Sequence, residues 1–125
     1  MSRILSLVLF SLFFFDYSFC QSFYPPIDNY TSREYGKDQI PENFAIVQDH
    51  RGVIYAGNSG AVMEYDGSTW RTIPVVPGAF VRSLEVDDNG MVYLGTSGDF
   101  GRLVPDKNGN LTYESLIDSI YALEN

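Results

Sequence analysis

Most of the stretch Ile46–Trp70, IVQDHRGVIYAGNSGAVMEYDGSTW, is written a second time in Leu84–Leu103, LEVDDNGMVYLGTSGDFGRL. Placing Gly90 on Gly52 also places Asp87 on Asp49, Val92 on Ile54, Tyr93 on Tyr55, Gly95 on Gly57 and Ser97-Gly98 on Ser59-Gly60, at a constant offset of 38 residues. A chain that repeats at fixed spacing builds one local unit more than once. Each copy must bury its apolar side against a neighbour, because so short a unit cannot cover itself.

The residues inside the repeat say what that unit is. Asp and Asn ahead of Gly52 and Gly90 supply turn chemistry, and Asn89-Gly90 suits a tight hairpin in which both central residues take positive φ. Strands are expected just after each glycine. Val53-Ile-Tyr-Ala56 and Met91-Val-Tyr-Leu94 are apolar without alternation, the pattern of a strand covered on both faces. Gly57–Gly60 and Gly95–Gly98 then turn the chain into further strands at 61–65 and 100–104. Asp66-Gly67 and Asn108-Gly109 turn it again, with Trp70 and Tyr113 on the returning strands. Several strands per unit at a period of about 40 residues is the signature of a β-propeller blade or a related β-repeat.

An Asp-x-x-Gly-Val-Ile-Tyr-Ala-Gly core followed by Tyr65-Asp66-Gly67-Ser68-x-Trp70 resembles the two-component regulator propeller repeat. The likeness covers roughly 29–116, and its Tyr-Asp-Gly element is its most specific part. Tyr55 stands where that family usually has Trp and Asn58 where it often has Thr, whereas Thr96 fits. The resemblance implies a periplasmic sensor region of a bacterial hybrid histidine kinase or a related transcriptional regulator. It also implies that the remaining blades and an output domain belong to a longer protein.

At the amino terminus, Arg3 precedes Ile4–Phe15, an apolar run broken only by Ser6 and Ser11 and ended by Asp16. That run is too short to span a bilayer comfortably and fits a secretory signal, with Ser18 and Cys20 as the small residues a signal peptidase reads. Cleavage is expected after Cys20. A lipoprotein signal at Cys20 and a buried first helix are the alternatives; Phe19 is large where a lipoprotein signal wants a small residue. Cys20 is the single cysteine, so the mature chain has no disulfide and must be stable by its core. Between Gln21 and Asn43, Tyr24-Pro25-Pro26 and Ile40-Pro41 frame a polar stretch that reads as an extended lead-in.

The net charge is −8, and because Arg3 and Asp16 cancel, the part after the signal carries the same value. This acidity argues against binding nucleic acid, which requires a basic surface, and against adhesion to anionic lipid. Hydrophobic residues make up 45% of the chain, enough for the core of the ~105 residues that follow the signal. Two units fall short of a ring, since closed propellers need at least ~4 blades. The expectation is therefore the front piece of a longer protein or an early-terminated reading frame.

Catalytic patterns find little support. Asp99-Phe100-Gly101 spells the metal-binding triplet of protein kinases, but no glycine-rich loop or catalytic-loop aspartate accompanies it. Asp106, Asn108 and Asn110 alternate like calcium ligands, yet Gly109 comes too early and position 117 is Ile where a bidentate Glu should stand. His50 is the only histidine, which removes multi-histidine metal sites and most triads. Glu64 with Asp66, or Glu85 with Asp87, would form a carboxylate pair only if they faced one cleft. Tyr65 and Trp70 are the candidate ligand residues, aromatic faces suited to the apolar side of a sugar; the competing reading packs them, with Tyr55, between units.

The resulting expectation is an all-β fold: an incomplete β-propeller of about two antiparallel blades after a signal peptide and an extended lead-in. Its segments are a signal at 1–20, the lead-in at 21–43, blades at 44–80 and 81–116, and the start of a third at 117–125. Gly52, Tyr55, Gly57, Asp66, Gly67, Gly90, Tyr93 and Gly95 form its structural motif. No metal, cofactor or catalytic residue is expected. The expected role is a non-catalytic, exported sensor fragment that binds an extracellular small molecule or glycan, with no membrane span once the signal is removed. A secreted interaction scaffold and a piece of a propeller-fold carbohydrate-active enzyme are the alternatives.

Overall fold

The computed structural model describes residues 25–117, so the signal expected at 1–20 and nearly all of the segment expected at 117–125 lie outside the described residues. One helical turn, α1 (Ser32–Tyr35), precedes eight strands: β1 (Ala45–Gln48), β2 (Ile54–Gly57), β3 (Ala61–Tyr65), β4 (Trp70–Pro74), β5 (Val81–Val86), β6 (Val92–Thr96), β7 (Phe100–Pro105) and β8 (Leu111–Ser115). They form two four-stranded antiparallel meanders, β1-β2-β3-β4 and β5-β6-β7-β8. The fold is all-β, built as two copies of one unit. The described residues form two open sheets packed together and no closed ring, so the propeller expectation is met only at this coarser level.

The repeated aspartate explains why each unit starts as it does. Asp49 Oδ1 accepts from the Arg51 and Val53 amides at 2.9 and 3.1 Å, and Asp87 Oδ1 accepts from the Asn89 and Met91 amides at 2.9 and 2.8 Å. The Gly52 and Gly90 amides close each turn onto the aspartate carbonyl at 2.9 Å. Gly52 and Gly90 have φ of 86° and 82°, and no other residue type among those described has positive φ. This corrects the expected hairpin: Asn89 is not left-handed, and one glycine closes a longer turn that the aspartate side chain holds from inside. Asp106 builds the same turn between β7 and β8, its Oδ1 accepting from the Asn108 and Asn110 amides at 2.8 Å.

Register assigns the faces. In the first sheet Val47, Tyr55, Glu64 and Arg71 stand in one row, and the second sheet covers that face. The core joins Tyr55, Val62 and Ile73 to Val81, Leu84, Val92, Leu94 and Leu103. The sheets approach so closely at Gly57 that a Cβ there would lie 2.8 Å from both the Val81 side chain and the Val81 carbonyl oxygen. β2 is thus covered on both sides, as its unbroken apolar run requires. β6 is not: Val92 and Leu94 are buried, but Tyr93 points to the other side and is half-buried. The lead-in meets the other side of the first sheet at β4, where the Tyr35 carbonyl accepts from Thr72 Oγ1 at 3.3 Å.

The lead-in departs from the extended form expected of it. Thr31 caps α1, accepting from the Arg33 amide, while Glu34 reaches back to the Thr31 amide in a capping box. Beyond the turn, the segment is tied down by Asn58. This fully buried side chain donates to the Ile40 and Glu42 carbonyls and to Asn43 Oδ1 at 2.8–3.0 Å and accepts from the Ser59 amide.

Two glycine substitutions separate backbone strain from sheet contact. Gly90→Ala meets no atom within 4 Å and forces only the left-handed backbone, so a loss of ~1 kcal/mol is expected. Gly57→Ala must part the sheets and is expected to cost ~2–3 kcal/mol. Chemical denaturation of both variants checks the order; equal losses would contradict the close approach at Gly57.

Candidate functional site

The sheets splay apart at the end that carries the aspartate turns and leave a cleft of about 480 Å³. The first sheet lines it with Asp49, His50, Arg51, Glu64 and Arg71; the second lines it with the turn at Asn89 and Gly90 and with Met91, Leu103, Pro105 and Leu111. One wall is charged and the other mostly apolar.

Two carboxylates form the floor of the charged wall. The Asp49 side chain is 1% exposed, and its Oδ2 accepts from Arg51 Nε and Nη2 at 3.0 and 2.7 Å. Glu64 Oε1 accepts from Arg71 Nη2 at 3.1 Å across the β3–β4 register. Burial pushes the Asp49 carboxyl up, but the hydrogen bonds from Arg51 and from the Val53 and Arg51 amides outweigh it and hold the group below its usual range. Tyr55 is fully buried and satisfies its hydroxyl at the same carboxylate, donating to Asp49 Oδ2 at 3.3 Å and accepting from Arg51 Nη2 at 3.1 Å. Burial, with the charges of Asp49 and Glu64 behind it, pushes the Tyr55 phenol up to about 12. The two guanidinium groups remain 69% and 55% exposed. What the cleft offers a visitor is therefore arginine edges, turn backbones and an apolar wall.

The candidate ligand residues lie elsewhere. Tyr65 and Trp70 are register partners at the β3–β4 turn and stack with ring centroids 4.7 Å apart. The lead-in brings Tyr30 to 5.1 Å from Tyr65 and 5.3 Å from Trp70, and Tyr35 to 6.2 Å from Trp70. Tyr30 also donates to the Tyr65 hydroxyl at 2.8 Å, and this hydrogen bond is the main reason its own pKa rises to about 12. The chain's own aromatic rings thus occupy much of the platform. Of the structural motif, Gly52, Tyr55 and Gly57 sit at the turn and sheet contact already described. Asp66 accepts from the Thr69 and Ser68 amides, which holds its carboxyl below the usual range, around a Gly67 with φ of 93°.

The rejected patterns are accounted for locally. Asp99 Oδ1 accepts from the Phe100 amide and from Ser115 Oγ, so the kinase-like triplet closes a turn. Asp106 spends its Oδ1 on amides of its own turn, and the amide of Asn110 is the main reason its carboxyl is held low. Glu64 is buried beside Arg71 while Asp66 serves an exposed turn, so they share no catalytic geometry. Among the described residues no group of three His, Cys, Asp or Glu could hold a metal ion, and no helix is long and apolar enough to cross a membrane. Sequence reasoning missed Arg51, Arg71 and Asn58. The signal was present for Asn58, which breaks the repeat at a place where the second copy has Thr96.

These features define an all-β protein of tandem four-stranded units with a polar cleft between them. No family model matches the chain, and no match was found among curated proteins or solved structures.

The carboxyl of Asp49, held low in the folded state, contributes stability above its unfolded value near ~3.9 that is lost as pH falls through the folded value. Asp49→Asn removes the anion but keeps the turn acceptor. It is expected to cost ~1–3 kcal/mol at neutral pH and to flatten the loss of melting temperature below about pH 5. An acid limb as steep as that of the unmodified chain would show that Asp49 does not carry it.

Proposed function

We propose that this chain is a non-catalytic, extracytoplasmic sensor module of a two-component-type receptor, taking a small extracellular molecule, such as a glycan, in the cleft between its sheets. The carrying observation is that cleft, with two half-exposed arginines and turn backbones opposite an apolar wall. Such a wall pairing orients a polar ligand while burying its less polar side. The Tyr65-Asp66-Gly67 element, on the β3–β4 turn of the first sheet, supports the receptor reading by resemblance. The apolar run after Arg3 supports export.

One observation favours a second reading, that of a secreted interaction scaffold: Tyr30 and Tyr35 already cover Tyr65 and Trp70. Binding of a glycan array and a thermal-shift panel of small sugars to the chain beginning at Gln21 separates the two. The sensor reading expects selective binding that Arg71→Ala weakens ~10-fold or more, the scale of one lost charged hydrogen bond. A flat response across array and panel would overturn it in favour of the scaffold.

A further inference from the structure

Register sends adjacent rows of the first sheet to opposite faces. Val47, Tyr55, Glu64 and Arg71 meet the second sheet, so the next row, Gln48, Ile54, Tyr65 and Trp70, faces away from the cleft. On that outer face Tyr65 and Trp70 stack, and Tyr30 bridges them, its ring 5.1 Å from one and 5.3 Å from the other and its hydroxyl donating to the Tyr65 hydroxyl at 2.8 Å. The occupant of this seat is thus a flat six-membered ring carrying a hydroxyl. It satisfies Tyr65 and leaves a second polar group unserved: Trp70 Nε1 is buried and has no hydrogen-bond partner among the described residues.

The segment that supplies Tyr30 is fastened unevenly. Asn58 holds residues 40–43 from inside through three hydrogen bonds. Between residues 25 and 38, by contrast, no residue is buried, those of α1 included. Among the described residues, two exposed hydrogen bonds, Tyr30 to Tyr65 and Thr72 Oγ1 to the Tyr35 carbonyl, and the rings of Tyr30 and Tyr35 hold this part to the sheet. A segment with so little burial opens locally at a fraction of the cost of unfolding the core. Gly36, with φ of 120°, joins it to the clamped part.

We infer that residues 25–38 form a displaceable strap whose Tyr30 occupies the seat of a neutral sugar ring on Tyr65 and Trp70, so that the chain carries its own competitor for that site. A pyranose suits the place of Tyr30 because its apolar face stacks on aromatic rings while hydroxyls around its rim reach both the Tyr65 hydroxyl and Trp70 Nε1; a tyrosine side chain serves only one of them. The inference rests on the outer face of the first sheet and is independent of what the cleft binds.

Trp70 is the single tryptophan of the chain, so its emission reads this seat. In the full chain, Tyr30→Phe keeps the ring and removes the hydroxyl that fastens the strap. Acrylamide quenching of Trp70 is expected to rise ~2-fold or more while the melting midpoint falls by no more than ~2 °C, as befits a local opening. Titration with cellohexaose, xylohexaose and maltohexaose is expected to shift Trp70 emission with at least one of them, and Tyr30→Phe to bind that sugar ~3–10-fold more tightly, the scale of one hydrogen bond lost from the competitor. Adding Tyr65→Phe to Tyr30→Phe should then weaken binding ~3-fold or more. Weaker binding by Tyr30→Phe would make Tyr30 part of the site and not its competitor, and unchanged quenching would show that the strap does not open; either overturns the inference. So would an emission shift with none of the sugars, or only with a tyrosine peptide such as Gly-Tyr-Gly. A sugar that raises the melting midpoint without moving Trp70 emission binds in the cleft, which sustains that reading and overturns this one.

Discussion

The seating of Val81 on Gly57 is the contact on which the arrangement depends. Side chains normally keep facing sheets about 10 Å apart, and here the missing Cβ lets the first strand of one unit reach the backbone of the other. The Val81 amide then donates to the Asn58 carbonyl at 3.0 Å, so the contact is fastened at the residue next to the glycine. Asn58 in turn clamps the lead-in through its side chain. One close approach thereby orders three segments far apart in sequence. It also seals Tyr55 from water, which obliges that phenol to find Asp49 and Arg51 as partners, since a buried hydroxyl left alone would cost ~1–3 kcal/mol.

The same aspartate turn occurs at Asp49, Asp87 and Asp106, yet only at the first does the aspartate itself line the cleft. The local geometry is shared: one carboxylate oxygen holds the amides two and four residues on. The second oxygen makes the difference. At Asp49 it is buried under Arg51 and Tyr55, whereas Asp106 stands in an exposed turn. A motif that serves only as a turn in one copy acquires electrostatic consequence in another because of what packs above it.

This division also explains what the sequence revealed and what it hid. Turn glycines, strand positions and the pairing of copies depend on neighbours a few residues away, so Val81–Val86 and Ala61–Tyr65 were legible as strands. The one-turn helix at Ser32–Tyr35 was hidden by its brevity, although Thr31 and Glu34 carry a capping box that marks it. The φ of Asn89 was misread because Asn-Gly alone suggests the shorter turn, and the aspartate two residues earlier selects the longer one. The cleft was not legible at all. Arg51 and Arg71 reach it from a turn and a strand of the first sheet, and the opposite wall is set by how the second sheet packs against it.

The two ion pairs show how far a repeat constrains chemistry. Glu64–Arg71 and Arg102–Glu114 occupy the same cross-strand row with opposite polarity. Within a sheet either polarity satisfies the pairing, so the register fixes only that charges must be opposite. The sign is then set by the surroundings. In the first sheet the carboxylate is the buried member, 7% exposed, and the arginine stands at the mouth of the cleft. In the second, both members are about equally exposed, at 37% and 42%. Desolvating a carboxylate beneath its guanidinium turns a sheet-stabilising pair into one that presents positive charge in a chain of net charge −8. That arrangement, made by burial and not by composition, leaves the arginines as the exposed members of both ion pairs at the cleft.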